Sequence, residues 1–135
     1  MDVAEPRLGV ELVRLTRRCR SIDKYVSSSA SLSIDEMHCL IALQTEHPAS
    51  IRRLYEAINV SPSRASKILK HLEQRGLVHR TSDSADHRKG QVTFTETGTR
   101  VVQEILVHFT EVGSELRNTS RGEFAADLSR LLATS

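Results

Sequence analysis

Tryptophan is absent from the 135-residue chain and aromatic residues make up only 4% of it, so its core must be aliphatic and largely helical. Stacked aromatic platforms of the kind that grip single-stranded nucleic acid are not expected from such a composition. Two cysteines, Cys19 and Cys39, are too few for a disulfide framework. No window approaches the roughly 18 consecutive apolar residues of a membrane span, and the N-terminus lacks a basic region followed by an apolar run. A soluble cytoplasmic protein with no membrane partner is therefore the expectation. Glycine-rich phosphate loops, a nucleophile elbow and a paired-carboxylate site are also missing, so neither an enzyme nor a bound cofactor is expected. His71, His79, His87, Asp83 and Asp86 match no compact metal-ligand spacing.

What the chain does have is a helix whose two ends are written into it. In Ser61–Gly76, SPSRASKILKHLEQRG, Ser61 is a good N-cap, and Pro62 suits the first helical position, where a missing N–H costs nothing. Gly76 can take the left-handed conformation that ends a helix. At about 100° per residue, Ala65, Ile68, Leu69 and Leu72 share one narrow arc that must be buried. The opposite arc carries Ser63, Lys67, Lys70 and Gln74. Arg64 and His71 lie on one flank, Ser66 and Glu73 on the other. Small hydroxyls and long cations near a helix N-terminus suit a phosphate-lined groove. Read alone, they also suit a solvated helix face.

Charge placement favours the groove. The formal net charge is +2, yet residues 61–89 hold Arg64, Lys67, Lys70, Arg75, Arg80, Arg88 and Lys89 against Glu73, Asp83 and Asp86. That stretch carries +4 and the remainder sums to −2. A basic patch on a near-neutral body is what a protein needs if it must find a polyanion without adhering to everything.

A hydrophobic content of 39% over this length suits one domain of ordinary core size, or a small domain with helical extensions. From Val3 to about Ser27, the residues Leu8, Leu12, Leu15, Cys19, Ile22 and Val26 alternate four and three apart, a heptad seam on a long helix. The small polar run Ser27–Ser31 is expected to end it. Ser33-Ile34-Asp35-Glu36 fits a capping box and opens a helix to about Glu46, with Ile34, Met37 and Ile41 as its main stripe. Cys39 and Leu43 lie off that stripe, so more than one face should be buried. His47-Pro48 closes the helix. Ser50 caps a third helix, Ile51–Ile58, and the Asn59-Val60 turn leads to the Ser61 cap. Two short helices so joined, the second basic, have the form of a helix-turn-helix.

Beyond Gly76, Leu77–Arg80 and Gln91–Phe94 read as two strands around a loop of about ten residues with a cationic tip at Arg88 and Lys89. Such a hairpin beside a recognition helix would reach a neighbouring minor groove. Thr95 can cap a long helix to about Asn118 with a second seam, Val102, Ile105, Phe109, Val112 and Leu116. Ser120-Arg121-Gly122-Glu123 is a further capping box before a short helix carrying Phe124, Leu128, Leu131 and Leu132. The fold expected is mainly α: a winged helix-turn-helix over residues 31–98, a small β-hairpin wing, and N- and C-terminal dimerisation helices over 1–30 and 99–135. The unpartnered seams call for a second copy of the chain, through Leu8, Leu12, Leu15, Ile22, Phe109, Val112, Leu116, Phe124 and Leu128.

From Leu32 to Gly98 the chain resembles the MarR-type (multiple-antibiotic-resistance-regulator) winged helix-turn-helix regulators. The resemblance rests on Leu32-Ser33, Ser61-Pro62-Ser63, Ser66-Lys67, Leu72-Glu73, Gly76-Leu77-Val78 and Arg80, then Asp83, Asp86, Arg88 and Thr95-Glu96-Thr97-Gly98. No single piece is specific, but their order and spacing together make a strong signal. The resemblance implies a homodimer with recognition helices in successive major grooves of a pseudo-palindrome and wings in the flanking minor grooves. It also implies that Arg88 is the wing-tip arginine, held by Asp86, and that a small aromatic or anionic effector is bound. Where the family commonly has Asp-Arg-Arg this chain has Asp86-His87-Arg88, replacing one wing cation by a mostly neutral group.

Function is thus expected to be double-stranded-DNA-binding transcription regulation, most simply repression. Ser61, Ser63, Arg64, Ser66 and Lys67 serve the major groove, Arg64 and Lys67 read guanine, and Lys70 and Lys89 neutralise phosphates. The competing reading is a winged-helix module that has left DNA for a protein partner. A face of lysines without aromatic anchors argues against it.

Overall fold

The computed structural model describes residues 6–83 and 86–118, and their side chains except at 82–89 and 115–118. In chain order the elements are α1 (Pro6–Ser29), α2 (Ile34–Thr45), β1 (Ala49–Ser50), α3 (Ile51–Ile58), α4 (Pro62–Gln74), β2 (Val78–Asp83), β3 (Asp86–Phe94) and α5 (Glu96–Asn118). The fold is mainly helical with one small antiparallel sheet, as the sequence predicts.

Helix starts fall where side-chain oxygens can satisfy unpaired N–H groups. The Ser33 hydroxyl accepts from the Glu36 N–H at 3.1 Å and the Glu36 carboxylate accepts from the Ser33 N–H at 2.8 Å, a reciprocal capping box. Ser50 and Ser61 each accept from the N–H three residues on, and Pro62 takes the first turn of α4. Asn59 stands in the left-handed region at φ 55°, and Gly76 follows α4 at φ +71°. Helix α1 continues to Ser29, through residues assigned above to a polar linker. Its serines bond backwards instead of breaking the helix: Ser27 Oγ donates to the Lys24 carbonyl at 3.2 Å and Ser29 Oγ to the Val26 carbonyl at 2.7 Å.

The core gathers Val26 of α1, Met37, Leu40 and Leu43 of α2, Leu54 of α3, Leu69 and Leu72 of α4, Val92 of β3, and Val102 and Ile105 of α5. Helix α2 runs through its centre and does bury more than one face, including Cys39. Ile34 and Ile41, expected on its main stripe, are only half-buried, because the arc facing the neighbouring helices is centred on Met37, Leu40 and Leu43.

The sheet has strand order β1-β3-β2 and corrects the sequence reading twice. First, Ala49–Ser50 forms a two-residue strand pairing Ala49 with Val92 and Ser50 with Gln91. Two residues carry no periodicity, and this strand exists only because β3 lies beside it. Second, the wing strands run much further than expected. Pairs Val78–Phe94, His79–Thr93, Arg80–Val92 and Thr81–Gln91 are followed, past a register shift, by Asp83–Asp86. The ten residues assigned to a loop are thus mostly ladder. Backbone pairing needs no apolar side chain, so a polar Thr-Ser-Asp composition hid it.

Gly98 fixes how α5 leaves the wing. A Cβ there would stand 1.9 Å from the Leu77 carbonyl oxygen, so no side chain fits between the start of α5 and the start of β2.

Candidate nucleic-acid interface

Helix α4 buries Ala65, Ile68, Leu69 and Leu72, the arc predicted from its periodicity. Its two flanks are then fastened to different elements. On one flank, the Arg64 Nε and Nη2 groups donate to Asp35 Oδ2 of α2 at 2.8 and 2.6 Å. Two turns on, His71 Nδ1 meets the Glu36 carboxylate. Near the helix end, Arg75 donates to the Ser31 and Ala30 carbonyls at 2.6 and 3.2 Å, tying α4 to the α1–α2 turn.

On the other flank, Arg80 of β2 holds the wing. Its Nε lies 2.6 Å from Glu73 Oε1 and its Nη2 donates to the Ser66 carbonyl at 3.1 Å. Thr95 closes the far side: its hydroxyl donates to the Gly76 carbonyl at 2.6 Å, and its N–H donates to the Leu77 carbonyl at 3.1 Å. The same hydroxyl accepts from the Gly98 N–H at 2.9 Å and so caps α5. The wing base therefore keeps a fixed position relative to α4.

Left to solvent is the outer arc of Ser63, Lys67, Lys70 and Gln74, all exposed. Among the described residues, no carboxylate lies within ion-pairing distance of Lys67 or Lys70. Ser61 is exposed at the cap, with its hydroxyl 3.2 Å from that of Ser63. Ser66 is exposed beside the wing. Arg64, at 60% side-chain exposure, is already engaged by Asp35, a partner that sequence spacing gave no sign of. Asp86, Arg88 and Lys89 lie on β3, and their side chains are outside the described ones.

Glu36 is the buried charge behind this surface, its side chain 8% exposed. Burial alone would raise its pKa, but the Ser33 N–H, His71 and the Ser33 hydroxyl outweigh burial, and its pKa lies below the usual carboxylate value. Cys39, by contrast, is pushed up to about 12, first by burial and then by the nearby Glu36 charge. Such a thiol stays protonated and inert. Cys19, placed on the α1 seam, is exposed.

The apolar seams divide sharply. Ile22 and Val26 pack on the core, whereas Leu8 and Leu12 are 57% and 51% exposed and Leu15 is half-buried. Val10 and Val13 widen the bare surface. Phe109 and Val112 of α5 are half-buried. The side chain of Leu116 is outside the described ones. Phe124, Leu128 and the Ser120–Glu123 capping box lie outside the described residues. Among the described residues no group of three His, Cys, Asp or Glu is placed to hold a metal ion, and no helix is long and apolar enough to cross a membrane.

Two short helices, a capped and basic second helix, and a hairpin fixed to its flank define a winged helix-turn-helix protein. Residues 32–89 match the model of the MarR family. The uncharacterized HTH-type transcriptional regulator YwaE of Bacillus subtilis (strain 168) is 26% identical over 110 residues, 81% of this chain. The chain spans 64% of that relative's length. NadR in complex with 4-hydroxyphenylacetate superposes with a TM-score of 0.78 at 19% identity, over 99% of this chain and 95% of that one. A mutant of S. aureus MepR bound to an oligodeoxyribonucleotide superposes with a TM-score of 0.68 at 18% identity, over 96% and 99% of the two chains.

Proposed function

We propose that this chain is a sequence-specific, double-stranded-DNA-binding transcription regulator, a repressor acting as a homodimer on a pseudo-palindromic operator. The observation that carries the proposal is the outer arc of α4. Both flanks of the helix are fastened by ion pairs and hydrogen bonds, while Lys67 and Lys70 stand exposed between them without a described carboxylate partner. The flanking cations Arg64 and Arg80 are paired with Asp35 and Glu73, whereas Lys67 and Lys70 on the outer arc are left for a polyanion. The MepR neighbour bound to an oligodeoxyribonucleotide lends support at the level of the fold. Arg88 and Lys89 on β3 extend the basic surface along the wing, with Asp86 in the role of positioning the tip.

The second copy of the chain is proposed to cover the bare half of α1 around Leu8, Leu12 and Leu15, together with Phe109, Val112, Leu116, Phe124 and Leu128. A small aromatic or anionic effector is proposed as the controlling ligand, a class to which the 4-hydroxyphenylacetate held by NadR belongs.

The test is selection of bound fragments from random duplex DNA, followed by gel shifts at several salt concentrations. The expected result is a two-fold symmetric consensus, bound with an affinity that falls steeply as salt rises. No enriched sequence and no salt-dependent retardation would overturn the reading.

A further inference from the structure

We infer that Asp35, which lies outside the recognition helix, is a specificity-determining positioning residue: it holds the Arg64 guanidinium in a fixed pose from which Arg64 reads one guanine in each half-site. The inference rests on the proposed DNA-binding function and adds to it a residue that α4 alone does not reveal.

The geometry carries it. Arg64 lies in the first turn of α4, where side chains of a helix entering the major groove meet base edges. A guanidinium has five N–H donors. The Nε–H and one Nη2–H are directed at Asp35 Oδ2, at 2.8 and 2.6 Å. The two Nη1–H groups and the other Nη2–H remain. That remaining edge is the one needed for a bidentate bond to guanine O6 and N7. The anchor is itself rigid. Asp35 lies in the first turn of α2, inside the Ser33–Glu36 capping box and beside the fully buried Met37. A carboxylate on a short side chain, carried by a backbone held in the capped first turn, restricts the rotamers of a long partner before DNA arrives, so less ordering remains to be done on binding.

Charge separates this role from that of the lysines. Asp35 offsets most of the Arg64 charge at short range, so Arg64 adds little to the general attraction for phosphates. Lys67 and Lys70 have no such neighbour among the described residues and supply it. Discrimination and salt dependence therefore reside in different side chains of one helix.

The experiment takes the selected operator and every single base-pair replacement in one half-site, and measures binding of the full chain and of Asp35→Ala, Asp35→Asn and Arg64→Ala. For the unmodified chain, replacing the guanine read by Arg64 is expected to weaken binding about tenfold. Asp35→Ala and Asp35→Asn should shrink that penalty to about two- to threefold, at the same base pair that Arg64→Ala desensitises, and leave other positions unchanged. Asp35→Asn keeps the side-chain size should the alanine variant fold poorly, and a merely structural loss would lower all positions alike. A base-replacement profile unchanged in both variants, or a uniform gain in affinity for every duplex, overturns the inference while DNA binding stands. Failure of the unmodified chain to bind any duplex overturns the DNA-binding reading, and the inference falls with it.

Discussion

Lys67 and Arg64 are both cations on α4, yet their surroundings assign them different work. Lys67 is exposed without a described carboxylate partner, so Lys67→Ala should weaken binding to all duplexes alike and reduce the slope of log affinity against log salt by about 1. A base-specific loss with an unchanged slope would instead make it a reader. The two thiols differ as plainly. Cys39 is buried with its pKa pushed up to about 12, and Cys19 is exposed. Iodoacetamide at pH 8 should therefore label Cys19 in the native protein and reach Cys39 only after denaturant is added, a contrast read directly by mass spectrometry.

Glu36 adds a pH dependence whose sign follows from the capping box. Its pKa is lower in the folded chain than in the unfolded one, so the unfolded state binds more protons in the acid range. The stabilisation is fully present above the ordinary carboxylate value of 4.5 and is lost as pH falls through the folded value. Urea unfolding should show Glu36→Gln less stable than the unmodified chain at pH 7, with the gap narrowing at pH 3.5. An equal gap at both would remove the ionised carboxylate from the account. His71, on the recognition helix, is the group that faces Glu36 from α4.

At the scale of elements, the join between wing and α5 is the most constrained point. With 1.9 Å between an added Cβ and the Leu77 carbonyl oxygen, Gly98→Ala forces two backbones apart and no rotamer relieves it. A loss of about 3 kcal/mol is expected, at the upper end for overpacking, measured as a drop in the urea midpoint. Since Thr95 ties the same corner to Gly76, the displaced α5 should also shift the wing relative to α4.

Element boundaries show which parts of this arrangement could be read in advance. Helix starts at Ser33, Ser50 and Ser61 were legible because a cap is a local contract between neighbouring residues. So was the buried arc of α4, since four apolar residues at helical spacing suffice to define it. The length of the wing ladder and the existence of β1 were not, because both depend on a partner strand distant in sequence. The same holds at the surface. Cations on the outer arc and flanks of α4 were legible as a set, but not that Asp35 engages one of them and Glu73, with Arg80, fastens the other flank.

For the whole molecule, the decisive contrast lies along α1. One seam begins on bare surface, with Leu8 and Leu12 more than half exposed, and ends in the core at Val26. A helix patterned for burial along its length but covered, among the described residues, over only half of it offers a surface for the proposed second copy, which would also set two α4 helices at a fixed separation. In the proposed homodimer, Leu12→Glu should therefore yield a monomer in light scattering while leaving the thermal transition of the winged unit nearly unchanged, because Leu12 lies outside the core formed by the described residues. Operator affinity should fall far more than binding to a single half-site, since a monomer loses the second engagement but keeps the first. A variant that stays dimeric and binds the full operator undiminished would locate the two-fold contact elsewhere, leaving the bare half of α1 without its proposed occupant.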